Sequence, residues 1–359
     1  MQTNAYVLET VLCGYTNFLL SCLTDAPLNR INRPIQIAMT TAYVVAFLVG
    51  LLGNALGIYI VKRKGIQKHV FFFLIVNLAC ADLLAIFAAM PYYIVYLYIE
   101  NQWFGGLLGT ISCKLIHFVF GVSVAASILT VLAMSCDRFV AVVLPLKISI
   151  LNRPRISSCF IWVISILFFA IYLFIFNVTF EKSDRRYYCV VRWKNKAETR
   201  HVMKIFYVLV LLALYVIPLL ILIAVHVIIS LKLWRRKIPG CKTETNRLAA
   251  EKSKRKVAKL LIAIVVVFAV CWLPAHLMHL YSVFRPQQFK RIPVQWTLLA
   301  FWLCQANSSL NPILYVIMNE DFRKEFIKIL KALFCSVQSE QFNSSRRKMQ
   351  RESTKKSAF

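Results

Sequence analysis

The sequence predicts an all-α membrane protein: a seven-transmembrane helix bundle followed by a short amphipathic helix eight. Three observations support this fold class. Of the 359 residues, 59% are hydrophobic and only 16% are charged, and the mean hydropathy is +0.65. Seven mostly apolar stretches are each long enough to span a bilayer, which takes roughly 20 residues. Polar and helix-bending residues recur inside them, where neighbouring helices, polar side chains or ordered water must satisfy them.

The seven stretches divide the chain into one membrane domain with two tails. The predicted seven-helix membrane domain covers residues 35–319, after an outer tail at 1–34 and before an amphipathic helix at 320–335 and a cytoplasmic tail at 336–359. The first 34 residues lack a basic start followed by an apolar core, so we expect no cleavable signal peptide. Several stretches exceed the minimum length, which predicts tilted or kinked helices. The predicted helices are Gln36–Ile60, Val70–Ile99, Thr110–Leu144, Ile156–Phe176, Val202–Ser230, Val257–Phe284 and Val294–Met318.

The distribution of lysine and arginine sets the expected orientation. Of the 43 basic residues, 29 fall in or beside the first, third and fifth connections and the C-terminal tail, and 14 fall on the other side. The basic side of a membrane protein faces the cytoplasm, so we expect a multi-pass membrane protein with its N-terminus outside and its C-terminus inside. The net charge of +28 does not favour nucleic acid as a partner, because these residues flank membrane segments, where they serve topology and contact anionic lipid.

Polar and bent positions mark several of the predicted helices. Asp82 lies in the middle of the second helix, where a carboxylate is costly unless it is paired or hydrated. Pro218 and Pro274 interrupt the fifth and sixth helices and permit bends there. The last helix carries Asn311-Pro312 within an apolar stretch. Such residues persist at membrane depth only where the bundle satisfies their hydrogen bonds.

Together these motifs resemble those of class A (rhodopsin-like) G-protein-coupled receptors, over about Gln36 to Cys335. The third helix ends in Asp137-Arg138, and the sixth carries Trp272 two residues before its proline. The resemblance implies that ligand contact at the pocket floor moves the inner end of the sixth helix and frees the arginine for a heterotrimeric G protein. It assigns the activation switch to Asp137, Arg138, Pro218, Phe268, Trp272, Pro274, Asn311, Pro312 and Tyr315.

The same resemblance implies a sodium pocket formed by Asp82, Ser127, Asn307 and Ser308. Hard oxygen donors suit a small hard cation, and the aspartate supplies the charge. Sodium bound there would favour the inactive packing of the helices. A purely structural hydrogen bond is the alternative role for the aspartate. Apart from this allosteric ion, we expect no cofactor.

The family pattern also implies roles for three cysteines. Cys113 and Cys189 match the bridge that joins the second outer loop to the third helix, and the outer side is oxidising. Cys335 follows the amphipathic helix and is a candidate for palmitoylation. Whether Cys13 and Cys22 pair with each other stays open.

Three positions depart from the family pattern. Phe139 replaces the usual tyrosine after the arginine, and His226 stands where the family has a tyrosine that helps to hold the active state. Lys254 stands where an acid often faces Arg138, and a lysine repels an arginine instead of pairing with it. The sequence therefore predicts raised basal signalling.

Individual positions narrow the ligand class. Receptors for biogenic amines carry an aspartate where this chain has Phe120, and opsins carry a retinal-binding lysine where it has Gln305. The resemblance therefore disfavours protonated amines and retinal as ligands. The third, sixth and seventh helices resemble those of galanin and allatostatin-A-type peptide receptors. His276 and His279 lie three residues apart and share one helical face; a pair of hydrogen-bonded bundle histidines is the alternative. The residues expected to contact a peptide are Phe120, His276, His279 and Phe301.

Charge and kinship predict the partners. The outer side carries fourteen basic and six acidic residues, a net charge of +8, which favours a neutral or acidic peptide. Kinship with galanin receptors implies the inhibitory class of G protein. Serine and threonine residues in the tail are candidate kinase sites, which would add receptor kinases and arrestin. A receptor for a lipid or other small molecule is the alternative; no nucleophile–base constellation indicates an enzyme, and no internal repeat indicates a transporter.

Overall fold

Seven long helices and one short one make up most of the structure, a computed structural model that describes residues 31–63, 65, 70–144, 153–235, 244–318 and 322–329. The fifth helix, α5, has three parts: Lys196–Leu211, a π-helical turn at Leu212–Val216, and Ile217–Arg235. The short helix α8 covers residues 322–329. The others are α1 (Arg33–Arg63), α2 (Val70–Ile99), α3 (Gly106–Val143), α4 (Pro154–Phe169), α6 (Glu244–Phe284) and α7 (Val294–Met318).

The predicted helix positions are confirmed, with differences at the ends. The bounds of α2 and α7 agree with the prediction, and α6 begins thirteen residues earlier than predicted, at Glu244. The predicted end of the fourth helix at Phe176 is wrong. The α4 helix stops at Phe169, a short turn covers Tyr172–Ile175, and Phe176 begins a strand. Strand pairing there takes over the main-chain hydrogen bonds that a continued helix would have made.

Six helices in the described part of the chain are long and apolar enough to cross a membrane by length and composition, and α7 is not among them. The polar residues in the middle of α7 account for its lower apolarity. They are buried among the other helices, so α7 meets the polar interior of the bundle. These buried residues are Gln305, Asn307, Ser308, Ser309 and Asn311.

A three-stranded antiparallel sheet covers the outer end of the bundle and was not predicted. Its strands are β1 (Gln102–Trp103), β2 (Phe176–Glu181) and β3 (Arg186–Val191), in the order β1-β3-β2. The register places Val178 of β2 opposite Cys189 of β3. Because a disulfide joins Cys189 of β3 to Cys113 of α3, the sheet lies next to that end of α3.

Close helix approaches occur where the sequence has glycine. A Cβ atom built on Gly121 of α3 would lie 2.3 Å from the ring of Phe169 in α4. One built on Gly53 of α1 would lie 2.6 Å from the ring of Pro312 in α7. Neither distance allows a side chain, so these glycines let the helices pack directly against each other.

Candidate functional site

The predicted histidine pair lies in an aromatic cluster between α5, α6 and α7. The ring of His279 stacks on Tyr207 with centroids 5.0 Å apart, and it meets the edge of Phe301 at 5.0 Å. The ring of His276, three residues earlier on α6, lies 4.8 Å from the ring of Tyr215. Both histidines are buried. The structure therefore brings three of the four predicted ligand contacts together, and we name His279, Tyr207 and Phe301 the outer aromatic cluster.

The fourth predicted contact, Phe120, lies on α3 and is partly buried against the same apolar core. Sequence reasoning missed Tyr207 and Tyr215, which contribute rings from α5. Their spacing of eight residues, about two helical turns, is the signal that could have found them. The π-helical turn ends one residue before Ile217, whose N–H donates to the carbonyl of Leu212 five residues earlier.

The predicted switch residues of α6 form the floor of this cluster. Trp272 packs 5.7 Å from the ring of His276, and Phe268 packs 6.3 Å from the ring of Trp272. Pro274 lies inside α6, and Pro218 lies inside α5, two residues after the π-helical turn ends. The indole N–H of Trp272 is buried without a hydrogen-bond partner among the described residues. The floor is thus held by ring packing.

A carboxylate joins three helices in the middle of the bundle. Asp82 of α2 is fully buried; Asn311 donates to its Oδ2 at 2.7 Å, and Ser127 donates to its Oδ1 at 3.2 Å. The side chain of Ser308 also hydrogen-bonds to it. We name Asp82 with these three partners the polar hub. Asn307, which completes the predicted sodium set, is buried on α7 one turn before Asn311.

Two further buried amide side chains fix the helices around the hub. Asn77 of α2 donates to the Thr130 hydroxyl at 2.7 Å and accepts from the Trp162 indole at 2.9 Å, so it links α2, α3 and α4. Asn54 of α1 donates to the main-chain carbonyl of Ser308 at 3.1 Å. Each amide satisfies polar groups that would otherwise be costly in this environment.

At the inner end of α3, Arg138 is held by its own neighbour. Its Nε donates to Oδ2 of Asp137 at 3.0 Å, and its Nη2 bonds to the same oxygen. The guanidinium carbon also lies 4.6 Å from the ring centroid of Phe71 in α2. Tyr315 of α7 is buried and packs 5.9 Å from Phe322, which joins α7 to α8. The arginine is thus engaged inside the bundle.

The outer sheet is anchored to α3 by the predicted disulfide. Cys113 and Cys189 are bonded, with their Cα atoms 5.8 Å apart. One turn along α3 from Cys113, the ring of His117 stacks on that of Phe176 with centroids 3.9 Å apart. The Nδ1 of His117 donates a hydrogen bond to the carbonyl of Cys113 at 2.7 Å. In the same sheet Tyr188 donates a hydrogen bond to Asp184. Burial and this neighbouring carboxylate raise the pKa of Tyr188 to about 12.

Some predicted features lie outside the described residues. These are the lipidation site at Cys335, the outer cysteines at positions 13 and 22, and the side chain of Lys254, whose main chain belongs to α6. In the described part of the chain, no group of three or more His, Cys, Asp or Glu residues is arranged to hold a metal ion. The sodium pocket would instead rely on one carboxylate with hydroxyl and amide oxygens.

Comparison with known proteins is consistent with this geometry. The model of the rhodopsin family of seven-transmembrane receptors matches residues 53–315. The Tachykinin-like peptides receptor 86C of Drosophila melanogaster is 29% identical over 345 residues, which cover 93% of this chain and 67% of that receptor. The Substance-P receptor of Aquarana catesbeiana is 30% identical over 88% of this chain and 78% of its own length. The Galanin receptor 2b of Danio rerio is 29% identical over 84% of this chain and 77% of its own length.

Proposed function

This chain belongs to the rhodopsin family of seven-transmembrane receptors, and we propose that it is a plasma-membrane receptor that transmits binding of an extracellular peptide to heterotrimeric G proteins. The family is one of receptors, not enzymes. Several similar proteins carry names that identify them as peptide receptors. The peptide ligand, the G protein and the orientation with the N-terminus outside are our proposal for this chain.

The outer aromatic cluster is the single observation that carries the proposal. Three helices meet there through rings about 5.0 Å apart, and His279 supplies a polar ring to the cluster. Peptide backbones and side chains offer both apolar and hydrogen-bonding groups, which such a pocket can contact. Among peptides, we propose a galanin- or allatostatin-like ligand, because the two histidines match those of that receptor class.

The rim above the cluster favours a neutral or acidic peptide. Arg200 and Arg291 are exposed at the outer ends of α5 and α7, and Lys204 of α5 lies 5.5 Å above the ring of Phe284 in α6. Basic side chains around a cleft attract anions and repel cations before contact is made. An arginine-rich peptide that bound tightly in a salt-sensitive way, with no binding of neutral or acidic peptides, would contradict this choice.

Transmission would run from the cluster through Trp272 to the inner end of α6. A ligand that contacts the rings more favourably in one arrangement shifts an existing equilibrium between two helix arrangements. The bend at Pro274 lets the inner part of α6 move while its outer part holds the ligand. Arg138 would then leave Asp137 and contact the G protein, of the inhibitory class by analogy with galanin receptors. Receptor kinases and arrestin would act later at the tail.

Sodium is proposed as an allosteric ion at the polar hub. Asp82, Ser127 and Ser308 already converge there, and hydroxyl and carboxylate oxygens are the donors that a small hard cation prefers. The ion would neutralise the buried carboxylate and stabilise the closed arrangement.

A neuropeptide-library screen with a G-protein activation readout tests the proposal. The library should contain galanin-, allatostatin-, tachykinin- and QRFP-type peptides, together with lipids and small molecules. We expect activation by a neutral or acidic peptide, its loss with Arg138→Ala, and a weaker response with His276→Ala. Activation only by a lipid would favour the alternative receptor class. Solute transport by the purified protein in sealed vesicles, without nucleotide exchange on any G protein, would contradict the receptor function.

A further inference from the structure

Arg138, near the C-terminal end of α3, contacts groups on two different helices. Its Nε donates to Oδ2 of Asp137, its own neighbour, at 3.0 Å. Its guanidinium carbon lies over the ring of Phe71 in α2, 4.6 Å from the ring centroid. A guanidinium within about 6 Å of an aromatic face is attracted by the negative charge of the π system. Phe71 is thus a cation–π partner of the arginine as well as a core residue.

The ring of Phe71 is held in a fixed place. It is 4% exposed and belongs to an apolar cluster that also contains Tyr315 and Phe322. It meets the ring of Phe72 edge-on, with centroids 5.7 Å apart. Close packing of this kind means that turning the ring away from the arginine would open a void. The side chain of Arg138 is 27% exposed, so the guanidinium is only partly hydrated over that ring.

The ion pair by itself does not tie the arginine to another helix. Adjacent side chains on an α-helix point about 100° apart, and Asp137 reaches the guanidinium from the same helix. Among the described residues, Asp137 is the only carboxylate that pairs with Arg138. Position 254 of α6, where an acid often faces this arginine, is a lysine. The ring of Phe71 supplies the link to a second helix that the lysine cannot.

We propose that Phe71 is a positioning residue that holds Arg138 inside the bundle through the face of its ring. A guanidinium lying over a buried ring is turned into the bundle, so Arg138 has to leave Phe71 before it contacts a protein outside. The contact therefore opposes the basal signalling that Lys254 favours. Cation–π contacts at exposed sites change an equilibrium by roughly twofold to fivefold. The inference rests on the proposed function only in that Arg138 contacts a G protein.

Fluorinated phenylalanines at position 71 test the proposal at nearly constant side-chain volume. Each added fluorine withdraws electron density from the ring face and weakens its attraction for a cation. Genetically encoded monofluoro-, difluoro- and trifluorophenylalanine are compared with phenylalanine in the purified full-length receptor. Basal nucleotide exchange on added G proteins is measured without ligand. We expect exchange to rise in steps, reaching roughly twofold to fivefold with three fluorines.

Phe73 provides the matched control, two residues farther along α2. It is partly exposed, and its side chain points about 200° around the helix from that of Phe71. The same fluorine series at position 73 should leave exchange at the wild-type level. Phe71→Leu keeps an apolar side chain without a π face and should raise exchange as much as three fluorines do. The proposal is overturned if the series at position 71 is flat, or if the series at position 73 rises to the same extent.

Melting temperatures separate this contact from the receptor function, because they require no G protein. Phe71→Leu is made in the wild-type receptor and in Arg138→Gln, which removes the cation but keeps a long polar side chain. We expect the leucine to lower the melting temperature more in the wild type, since coupled residues are not additive, whereas Phe73→Leu should act equally in both. Equal losses for Phe71→Leu in the two backgrounds would overturn the proposal. Unequal losses without exchange on any G protein would contradict the proposed function and leave the contact supported.

Discussion

The polar hub and the outer aromatic cluster are both buried in the bundle, yet different interactions hold them together. In the hub, donors from α3 and α7 point at one carboxylate, with distances of 2.7 Å from Asn311 and 3.2 Å from Ser127. In the cluster, rings from three helices meet at centroid distances of 5.0 Å. Hydrogen bonds are directional and fix relative positions closely, whereas ring contacts tolerate sliding. The hub is thus suited to coupling helices, and the cluster to accommodating a ligand.

The carboxylate at the centre of the hub is fully paired, whereas several of the described buried polar atoms on the cluster side of the bundle are not. Among the described residues, the indole N–H groups of Trp272 and Trp302 and the Oε1 of Gln305 are buried without partners in the outer half. Both oxygens of Asp82 are bonded in the hub. Each unpaired buried group costs about 1–3 kcal/mol. A ligand or water that supplied partners in the outer half would recover part of this cost, and the hub offers no such gain.

The largest effect is expected from removing the acceptor of the hub. Asp82→Ala leaves the donors of Asn311 and Ser127 unpaired, at about 1–3 kcal/mol each. We expect the purified receptor to melt several degrees below Asp82→Asn, which keeps an acceptor oxygen. Thermal unfolding in detergent measures the difference. Both variants should also lose any weakening of agonist binding by sodium, tested against a bulky organic cation. Equal melting of the two variants would show that the hub is not held by its acceptor.

A functional change with little loss of stability is expected in the outer aromatic cluster. His279→Ala removes the ring that contacts Tyr207 and Phe301, and we expect agonist affinity to fall about tenfold, or about 1.4 kcal/mol. The melting temperature should fall less than in Asp82→Ala. Competition binding with the agonist recovered from the library screen measures this. Tyr207→Phe, which keeps the stacked ring, is the matched control; an equal loss in both variants would contradict a role for ring contact.

A smaller effect is expected where α1 passes α7 beside the hub. In Gly53→Ala the new Cβ would lie 2.6 Å from the Pro312 ring, which cannot rotate away. Gly57→Ala, one turn along the same helix, would place its Cβ 3.6 Å from Phe322, an ordinary contact. We expect Gly53→Ala to lower the melting temperature by a few degrees. Gly57→Ala should leave it unchanged or raise it slightly, because alanine favours helix by up to about 1 kcal/mol. The reverse order would contradict the close approach of the two helices.

The smallest effect is expected at the outer sheet, where ionisation of the Tyr188 hydroxyl would break its hydrogen bond to Asp184. The raised pKa of about 12 means that the bond stabilises the sheet fully below the ordinary tyrosine value near 10. The contribution is lost as the pH rises through 12. Hydrogen exchange of β3 amides, corrected for intrinsic rates, should therefore stay constant to about pH 10 and then accelerate. Asp184→Asn should lower the pH of this transition; an unchanged transition would contradict the assigned cause.

The sequence predicted the hub better than the cluster, for a physical reason. A charged residue at mid-membrane requires partners, and the family resemblance named Ser127 and Ser308 as neighbours of Asp82 before any coordinates. Aromatic residues are common in every helix of this chain, so the rings that meet depend on helix rotation. Tyr207 and Tyr215 were missed because the π-helical turn of α5 changes that rotation. The outer sheet was missed because its strands are short and the pattern of the fourth helix ran on into β2.

The roles of single polar residues could be predicted only in part from the sequence. The position of His226 was identified as a departure from the family pattern, but its burial in the bundle depends on the helix arrangement and leaves no sequence signal. The indole of Trp162 donates to Asn77, a bond that depends on the arrangement of α2 and α4 and leaves no sequence signal. Charged and bent positions are thus visible in a sequence, and the partners of neutral polar groups are not.

The π-helical turn at Leu212–Val216 has a practical consequence for drug design. One inserted residue rotates everything on its outer side by about 100° relative to an uninterrupted helix. A pocket template copied from a homologue without this insertion would assign the wrong face of α5 to bound compounds. Virtual screening against such a template would leave Tyr207 out of the outer aromatic cluster and select compounds that fit a different set of side chains. Alignments should therefore carry a one-residue gap before Pro218 wherever the template lacks the insertion.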